Sequence, residues 1–404
     1  MSQQAFDGVN ILDFTWAGAG PMAIRYLSDH GAQVIHVESS TKPEILRTTP
    51  PFKDGIVGMN RSAYFANFNC NKYGLSLNLN HPEATEVTRR LVLWADIVAE
   101  NFTPRTMKRW RLSYGDLVKM KPGIIMLSSS QQGQTGPRAT QPGLGTHLVS
   151  MAGFTHITGW PDRGPSGPYG PYTDTIAPLF SASAVIAALD YRRRTGKGQH
   201  LDLSQYEAAV QFLAPLFLHF GVNGRQAERR ANRCTSAAPH GAYPCQGEDK
   251  WCVISVFSEE QWRSLCCVMG VHDLTHDPRF NTLEARKQNE DELDTVISQW
   301  TAQYAPTEVM TILQSKGVAA GVVQTGEDLH HDPQLRHRNF LRELEHPEIG
   351  FHLYDGPPFM LSHTPSNLQM PAPCMGEHNE HICTRILGFS DEEFLTMLQA
   401  GVFE

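Results

Sequence analysis

The chain has 404 residues and a formal net charge of −8, with 41% hydrophobic and 19% charged residues. This balance is typical of a soluble globular enzyme and excludes a largely disordered chain. At roughly 150 residues per domain, the length predicts two or three domains, or one large α/β domain with an insertion. The acidic balance argues against a general nucleic-acid binder, although a local cluster of Arg side chains and backbone N–H groups can still hold an anion.

Targeting, disulfide and metal-binding patterns are absent from the sequence. No basic segment followed by an apolar one opens the chain, and no apolar run reaches the roughly 18 residues of a membrane-spanning helix. The eight cysteines show no CxxC spacing, and the scattered histidines have no carboxylates at ligand spacing. We therefore expect a cytoplasmic protein with reduced thiols, without bound metal, and with neither nucleic acid nor membrane as a partner.

Strand and helix patterns alternate over the first 130 residues. A short apolar strand over 9–14 precedes a Gly-rich turn, a helix over 22–30 and a buried strand over 32–38. The alternation continues with a helix over 82–95 and strands over 97–100 and 123–129. This order predicts a doubly wound, mostly parallel sheet.

A segment rich in Gly and Pro follows. Residues 133–171 hold fifteen Gly or Pro in thirty-nine positions, which predicts a long structured loop without regular helix. Beyond it the patterns are a helix over 175–192, a strand over 198–204 and a helix over 205–220. A polar, Arg-rich connection over 222–250 then leads to a smaller unit of one strand and several helices. The last part carries loops and a closing helix over 391–400.

The first turn contains a Gly-x-Gly-x-x-Ala pattern that begins at Gly18, with Glu38 about twenty residues later. This pattern alone suggests a dinucleotide-binding enzyme. Three residues, 15–17, separate the strand from the glycines, however, so the turn is longer than a tight dinucleotide-binding turn. The milder interpretation is that backbone N–H groups at this helix start meet a phosphate or another polar group.

Asp174 follows the Gly/Pro-rich segment and precedes an apolar helix, which is the position of an N-cap. The long, stiff approach places its carboxylate at a defined point, and a helix N-terminus favours the ionised form. A carboxylate that is anionic and partly desolvated is a competent nucleophile toward an acyl carbon. The alternative is a purely structural cap.

Several blocks of sequence, in the same order, resemble the family III CoA-transferases, the group that contains formyl-CoA:oxalate CoA-transferase, carnitine CoA-transferase and α-methylacyl-CoA racemase. The resemblance covers almost the whole chain. The blocks are GVNILDFTWAGAGP, FNCNKYGLSLNLNHPEA, ENFTPRTMKRW, PYTD followed by RRRTGKGQHLDLSQYEA, and GEHNEHICTRILGFSDEEF.

The resemblance implies an acyl-CoA:carboxylate CoA-transferase in which Asp174 attacks the donor thioester, with succinyl-CoA as the expected donor. A mixed anhydride and then an aspartyl-CoA thioester would form. The CoA thioester is a substrate, and no tightly bound cofactor is implied. By position, the resemblance assigns the contacts with CoA to Ala17, Gly18, Ala19, Leu77, Asn101 and Arg109.

Two departures from the family concern the acyl pocket. Formyl-CoA transferases carry Gln where this chain has Gly18, and Tyr near Gly145. The two glycines therefore predict room for a bulky or aromatic acid, such as benzylsuccinate. Racemases carry a His-Asp pair where this chain has Leu144 and Gly145, so a racemase-like isomerase is the weaker alternative. A non-catalytic partner subunit of a heterodimeric CoA-transferase is the third, and the presence of Asp174 argues against it.

The resemblance also implies the architecture. Residues 1–221 would form the first part of a large Rossmann-like domain, 222–330 a linker and a smaller α/β domain, and 331–404 a return to the large domain. Two chains would interlock like linked rings, as a homodimer or as a heterodimer with a related subunit. The small-molecule partners would be an acyl-CoA and a carboxylic acid.

Overall fold

The computed structural model describes residues 4–404. The chain folds into two compact units. The first comprises the residues up to 155 together with 167–226 and 334–404, and the second comprises 156–166 and 227–333. Among the described residues, no helix is long and apolar enough to cross a membrane.

A six-stranded parallel sheet lies at the centre of the first unit as described. Its strands are β1 (Asn10–Asp13), β2 (Gln33–Glu38), β3 (Tyr73–Ser76), β4 (Ile97–Glu100), β5 (Ile125–Ser130) and β6 (His200–Ser204). They lie in the order β3-β2-β1-β4-β5-β6. The predicted Rossmann-like sheet is confirmed. The order reverses between β1 and β4, and doubly wound sheets bind their ligands beyond the carboxyl ends of the strands at such a point.

The central strands are apolar because both faces of a parallel sheet are covered. Successive residues alternate between two cores. Leu12 packs in one core with Val37 and Val98, whereas its neighbour Ile11 packs in the other with Val34. A one-residue shift of β1 would exchange the two sets, so the apolar pattern fixes the register.

Helices connect these strands and cover both faces. Up to residue 226 they are α1 (Ala19–Ser28), α2 (Ala63–Asn69), α3 (Ala84–Trp94), α4 (Arg105–Arg109), α5 (Tyr114–Met120), α6 (Gly145–Met151), α7 (Phe154–Ile157), α8 (Thr173–Thr195), α9 (Gln205–Phe212) and α10 (Ala214–Asn223). Two short 3-10 helices lie at Ile45–Thr48 and Lys53–Gly55.

Two helix predictions were wrong in detail. The Gly/Pro-rich segment contains α6 and α7, because residues 146–152 form a stretch free of Gly and Pro long enough for two turns. The single helix predicted over 205–220 is divided at Leu213. Pro215 lies two residues later, and since proline lacks an N–H it cannot continue the hydrogen bonds of the preceding helix.

The second unit combines helices and strands, as predicted, and its three strands are antiparallel. The strands are β7 (His240–Pro244), β8 (Trp251–Ser255) and β9 (Ala319–Val322), with β8 in the centre. Its core surrounds the buried Trp262. The helices are α11 (Glu259–Met269), α12 (Leu283–Gln288), α13 (Glu290–Thr301), α14 (Pro306–Gln314) and α15 (Gly326–His331), with a 3-10 helix at His272–Thr275.

The last seventy residues complete the first unit. Ile382 and Phe394 pack in the same core as Leu12 of β1. The elements of this part are α16 (Pro333–His337), the antiparallel pair β10 (Leu341–His346) and β11 (Gly350–Asp355), a π-helical turn at His381–Ile386, and α17 (Asp391–Gln399).

Candidate active site

The candidate site begins where β1 ends. The carboxylate of Asp13, the last residue of β1, accepts hydrogen bonds from the N–H (2.9 Å) and the hydroxyl (2.6 Å) of Thr15. The same carboxylate lies 3.0 Å from the Lys72 ammonium and 3.3 Å from His36 Nδ1. Burial opposes ionisation, but Lys72 and His36 hold the pKa of Asp13 well below its ordinary value. This buried charge cluster anchors the loop that follows.

The loop is fixed at the next two residues as well. The Asn101 amide accepts a hydrogen bond from the Trp16 N–H (2.9 Å) and donates one to the Trp16 carbonyl (2.6 Å). Ala17 adopts a left-handed backbone conformation, with φ of 61°, and its N–H donates to the carboxyl of Glu44. Burial raises the pKa of Glu44 to about 7. The sequence assigned Asn101 to CoA, and the structure places both ends of its amide on the protein backbone.

Asp174 lies in the first turn of α8, and the predicted N-cap was wrong. Tyr172 occupies the N-cap position without a side-chain capping bond, because the helix begins at Thr173, one residue before Asp174. The helix N-terminus does not lower the pKa of Asp174 overall. Burial raises the pKa of Asp174 from its ordinary 3.8 to about 7.

The structure brings Asp174 together with Gly18 and Gly145. A methyl group on Gly18 would lie 3.1 Å from Asp174 Oδ2. One on Gly145 would lie 2.3 Å from Asp174 Oδ1 and 2.4 Å from the Pro171 side chain. At Gly145, therefore, the missing side chain permits the close approach of the carboxyl group, and it does not open a free space.

A cavity lies beyond the carboxyl ends of β1 to β4. It encloses about 790 Å³ of empty space, including open solvent. Two residues assigned from sequence, Leu77 and Arg109, line it. Within the described chain, the Arg109 guanidinium makes no ion pair. The lining also includes Phe14, Trp16, Lys42, Asn78, Asn80, Phe102, Thr106 and Trp110.

Sequence reasoning missed several residues around the cavity and around Asp174. Lys42 lies 5.9 Å from the centre of the Trp16 ring, and Trp16 meets Phe102 edge to face. Burial raises the pKa of the Tyr64 hydroxyl, and the negative charge of the nearby Asp174 carboxylate is the next largest cause. Trp16 and Phe102 lie within the blocks that resemble the family but were not selected as site residues, and Lys42 and Tyr64 lie outside those blocks. Among the described residues, no group of three or more His, Cys, Asp or Glu could hold a metal ion.

A family model described as CoA-transferase family III matches residues 6–379. The chain belongs to CoA-transferase family III. It is 32% identical over 394 residues to succinyl-CoA–D-citramalate CoA-transferase of Chloroflexus aurantiacus, an alignment that covers 98% of this chain and 96% of that protein. The family and the enzyme class predicted from the sequence are confirmed.

Two further comparisons concern length and fold. A probable CoA-transferase of Mycobacterium tuberculosis is 35% identical over 396 residues, which are 96% of this chain and 49% of that protein. The family III chain thus spans about half the length of that relative. A CAIB/BAIF family protein from Brucella suis has a similar solved structure, with a TM-score of 0.87 and 29% identity over 95% of this chain and 100% of that one.

The partly buried carboxyl of Asp174 predicts a pH-dependent stability effect. Because its pKa is higher in the folded chain, this group lowers the stability as the pH rises from about 4 to 7. Asp174→Asn removes that cost, so the variant should gain about 1–4 kcal/mol over the wild type at pH 8, with most of the gain absent at pH 5. Denaturant unfolding at both pH values measures the difference.

Asp190→Asn is the matched control, because Asp190 lies exposed on the same helix in an ion pair with Arg194. Its effect should be small and equal at the two pH values. An Asp174→Asn effect that is likewise equal at both pH values would contradict the prediction.

Proposed function

We propose that the chain transfers CoA from an acyl-CoA donor, succinyl-CoA, to a carboxylic acid, with Asp174 as the nucleophile. The observation that carries the proposal is the placement of one partly buried carboxyl group against two glycine backbones. An acyl group must come within bonding distance of the nucleophile, and glycine at these positions removes side chains that would separate the two. The succinyl donor is taken from the Chloroflexus relative, whose name specifies it.

The first half of the reaction converts the donor into a free acid. A carboxylate oxygen of Asp174 attacks the thioester carbonyl, the C–S bond breaks, and CoA leaves as the thiolate. The product is a mixed anhydride between Asp174 and the donor acyl group. The thiolate then attacks the Asp174 carbonyl carbon, the donor carboxylate leaves with one oxygen of the aspartate, and Asp174 becomes a CoA thioester.

The second half repeats these steps with the acceptor. The acceptor carboxylate attacks the aspartyl thioester and expels the CoA thiolate, which forms a second anhydride. The thiolate attacks the acceptor carbonyl, the new acyl-CoA forms, and Asp174 returns to the carboxylate. Each step exchanges one acyl bond for another, so atoms and charges balance without a resident cofactor. Covalent catalysis thus divides one difficult exchange into easier ones.

The environment of Asp174 suits this role. Partial desolvation makes a carboxylate more reactive, and a pKa of about 7 still leaves much of it ionised at neutral pH. The N–H groups of Gly18 and Ala19 are proposed to stabilise the oxyanions, because the first N–H groups of a helix have no partner within it. The Ala17 N–H already donates to Glu44, so we do not assign it this role.

The cavity beside Trp16 is proposed to hold the nucleotide end of CoA. Arg109 and Lys42 supply positive charge for phosphate groups, and Leu77 with the aromatic rings supplies an apolar wall for the base. Ala17 and Ala19 are proposed to lie beside the pantetheine arm, between this cavity and Asp174. Asn101 then contributes by holding Trp16 in place.

The covalent role of Asp174 is tested by trapping the intermediate. Wild-type protein incubated with succinyl-CoA should gain the mass of one CoA less one water, and borohydride should reduce the thioester. Asp174→Asn and Asp174→Ala should show neither the adduct nor transfer, while Asp190→Asn should behave as the wild type. Formation of the adduct in Asp174→Ala, seen by intact-protein mass spectrometry, would end the proposal.

The phosphate role of Arg109 predicts a change in substrate binding. Arg109→Ala should raise the KM for the CoA donor by roughly tenfold with a smaller change in kcat, because it removes binding that is equal in ground and transition states. Arg105→Ala is the control, since Arg105 is exposed at the start of the same helix, α4, and does not line the cavity. Steady-state kinetics in which both variants show the wild-type KM would place Arg109 outside the CoA site.

We retain a bulky or aromatic acid, such as benzylsuccinate, as the proposed acceptor, on the strength of Gly18. Gly18→Gln should lower kcat/KM for both acids, because its Cβ would lie 3.1 Å from Asp174 Oδ2. The fall for benzylsuccinate should be roughly ten- to a hundredfold greater than for acetate, because overlap with the larger acid costs about 1–3 kcal/mol. Gly145→Ala is the contrast, since its methyl group would displace the Asp174 carboxyl itself. It should reduce kcat for both acids alike. An equal fall for both acids in Gly18→Gln would remove the argument for a bulky acceptor.

We also propose that two chains associate as an interlocked dimer. Helix α10 has no buried residue even though it is apolar. Among its side chains, Phe217 is 67%, Phe220 60% and Val222 81% exposed. Such an apolar surface is typical of an interface, and a second copy of this chain or a related subunit would cover it. Light scattering should give twice the 45.1 kDa mass of the chain, and Phe217→Asp with Phe220→Asp should give the single mass. A monomeric wild type would contradict the proposal.

A further inference from the structure

The loop beside Asp174 contains an unfavourable backbone conformation. Ala17 has a φ of 61°, in the left-handed region that residues with a Cβ rarely adopt. The next residue is Gly18, where a Cβ would lie 3.1 Å from Asp174 Oδ2. A conformation of this kind persists only when the surroundings over-determine it, and such residues cluster at functional sites.

Glu44 supplies one of the constraints. It is fully buried, and its carboxyl group joins two separate segments. One oxygen accepts the N–H of Ala17, and the other accepts the N–H of Leu46 at 3.1 Å. The second bond caps the 3-10 helix that begins at Ile45. Glu44 therefore links the strained residue to a short helix elsewhere in the sequence.

That short helix is itself rigidly held. Arg47 lies within it and makes two charge-assisted hydrogen bonds to Glu38, at the end of β2, with N–O distances of 2.6 and 2.7 Å. Both side chains of this ion pair are fully buried. Bidentate pairs of this kind fix geometry as well as charge. The Glu44 side chain thus extends from a base that is fixed to the central sheet.

We propose that Glu44 is a positioning residue for the transfer reaction: by holding the Ala17 N–H, it keeps Ala17 left-handed and sets the Gly18 backbone against the Asp174 carboxyl. Asn101, through its two bonds to Trp16, fixes the preceding residue. Glu44 does not touch the reacting atoms. The inference rests on the proposed role of Asp174 as nucleophile, and it concerns the rate of the chemical steps rather than the binding of CoA.

The test compares Glu44→Ala with the same change in an Ala17→Gly background. Without Glu44, Ala17 should relax to an ordinary backbone conformation and misplace Gly18. We expect kcat to fall roughly ten- to a hundredfold, because displacements of about 1 Å have such effects, with the KM for the donor changed less than threefold. Glycine adopts the left-handed conformation at little cost, so Ala17→Gly should restore at least part of the lost kcat.

Two further variants complete the design. Glu44→Gln should lose less than Glu44→Ala, since its amide oxygen can still accept one of the two N–H groups. Asp96→Asn is the matched control, because Asp96 accepts the Asn10 N–H at the opposite end of β1 (2.9 Å). Its kcat should stay within twofold of the wild type. Thermal unfolding of every variant accompanies the kinetics.

The outcomes separate the two proposals. Asp174→Asn is assayed alongside, and full activity in that variant would overturn the proposed nucleophile. If Asp174→Asn is inactive, an unchanged kcat in Glu44→Ala overturns only the positioning role. The kcat of Glu44→Ala could also fall together with its melting temperature, without recovery when Ala17→Gly is added. That result would assign Glu44 a merely structural role and would likewise overturn the inference. Rescue of kcat by Ala17→Gly without recovery of the melting temperature supports it.

Discussion

Three backbone segments of the first unit approach one carboxyl group closely, and this approach restricts which side chains each segment can carry there. The loop after β1, the start of α6 and the start of α8 meet at Asp174, and two of these contacts are made by glycines. Close packing tolerates few changes at such a point, because even one methyl group must displace its neighbours. Gly145 has less freedom than Gly18, since the Pro171 ring also occupies the direction in which a side chain would extend.

Around this point, three acidic groups lie in two kinds of surroundings. Asp13 and Glu38 are buried beside cations, and their charges hold the loop after β1 and the end of β2. Asp174 is partly buried without such a partner, and its pKa rises to about 7. Asp13 and Asp174 thus differ in the charges beside them, since an opposite charge within a few ångströms offsets the cost of desolvation.

Much of the sheet could be predicted from the sequence, whereas little of the structure that supports the site could be. The strand over 97–100 was predicted with its observed bounds because buried parallel strands are continuous apolar runs. The four-residue β3, with Gly74 inside it, lacks such a run and was missed. Asp174 was selected as a candidate because of the Gly/Pro-rich segment before it. It was predicted as the N-cap, whereas it is the second residue of α8. Glu44 carried no signal at all, because its partner Ala17 is twenty-seven residues away and only the folded chain brings them together.

The return of the chain to its first unit has a consequence for the order of folding. The core that contains Leu12 also contains Ile382 and Phe394, which a ribosome adds more than 350 residues later. Until then, one face of the parallel sheet lacks part of its cover, whereas the second unit is already complete in sequence at residue 333. Contacts of such long sequence separation form slowly. Newly made chains therefore pass through a period in which apolar sheet surface is open to chaperones and to aggregation.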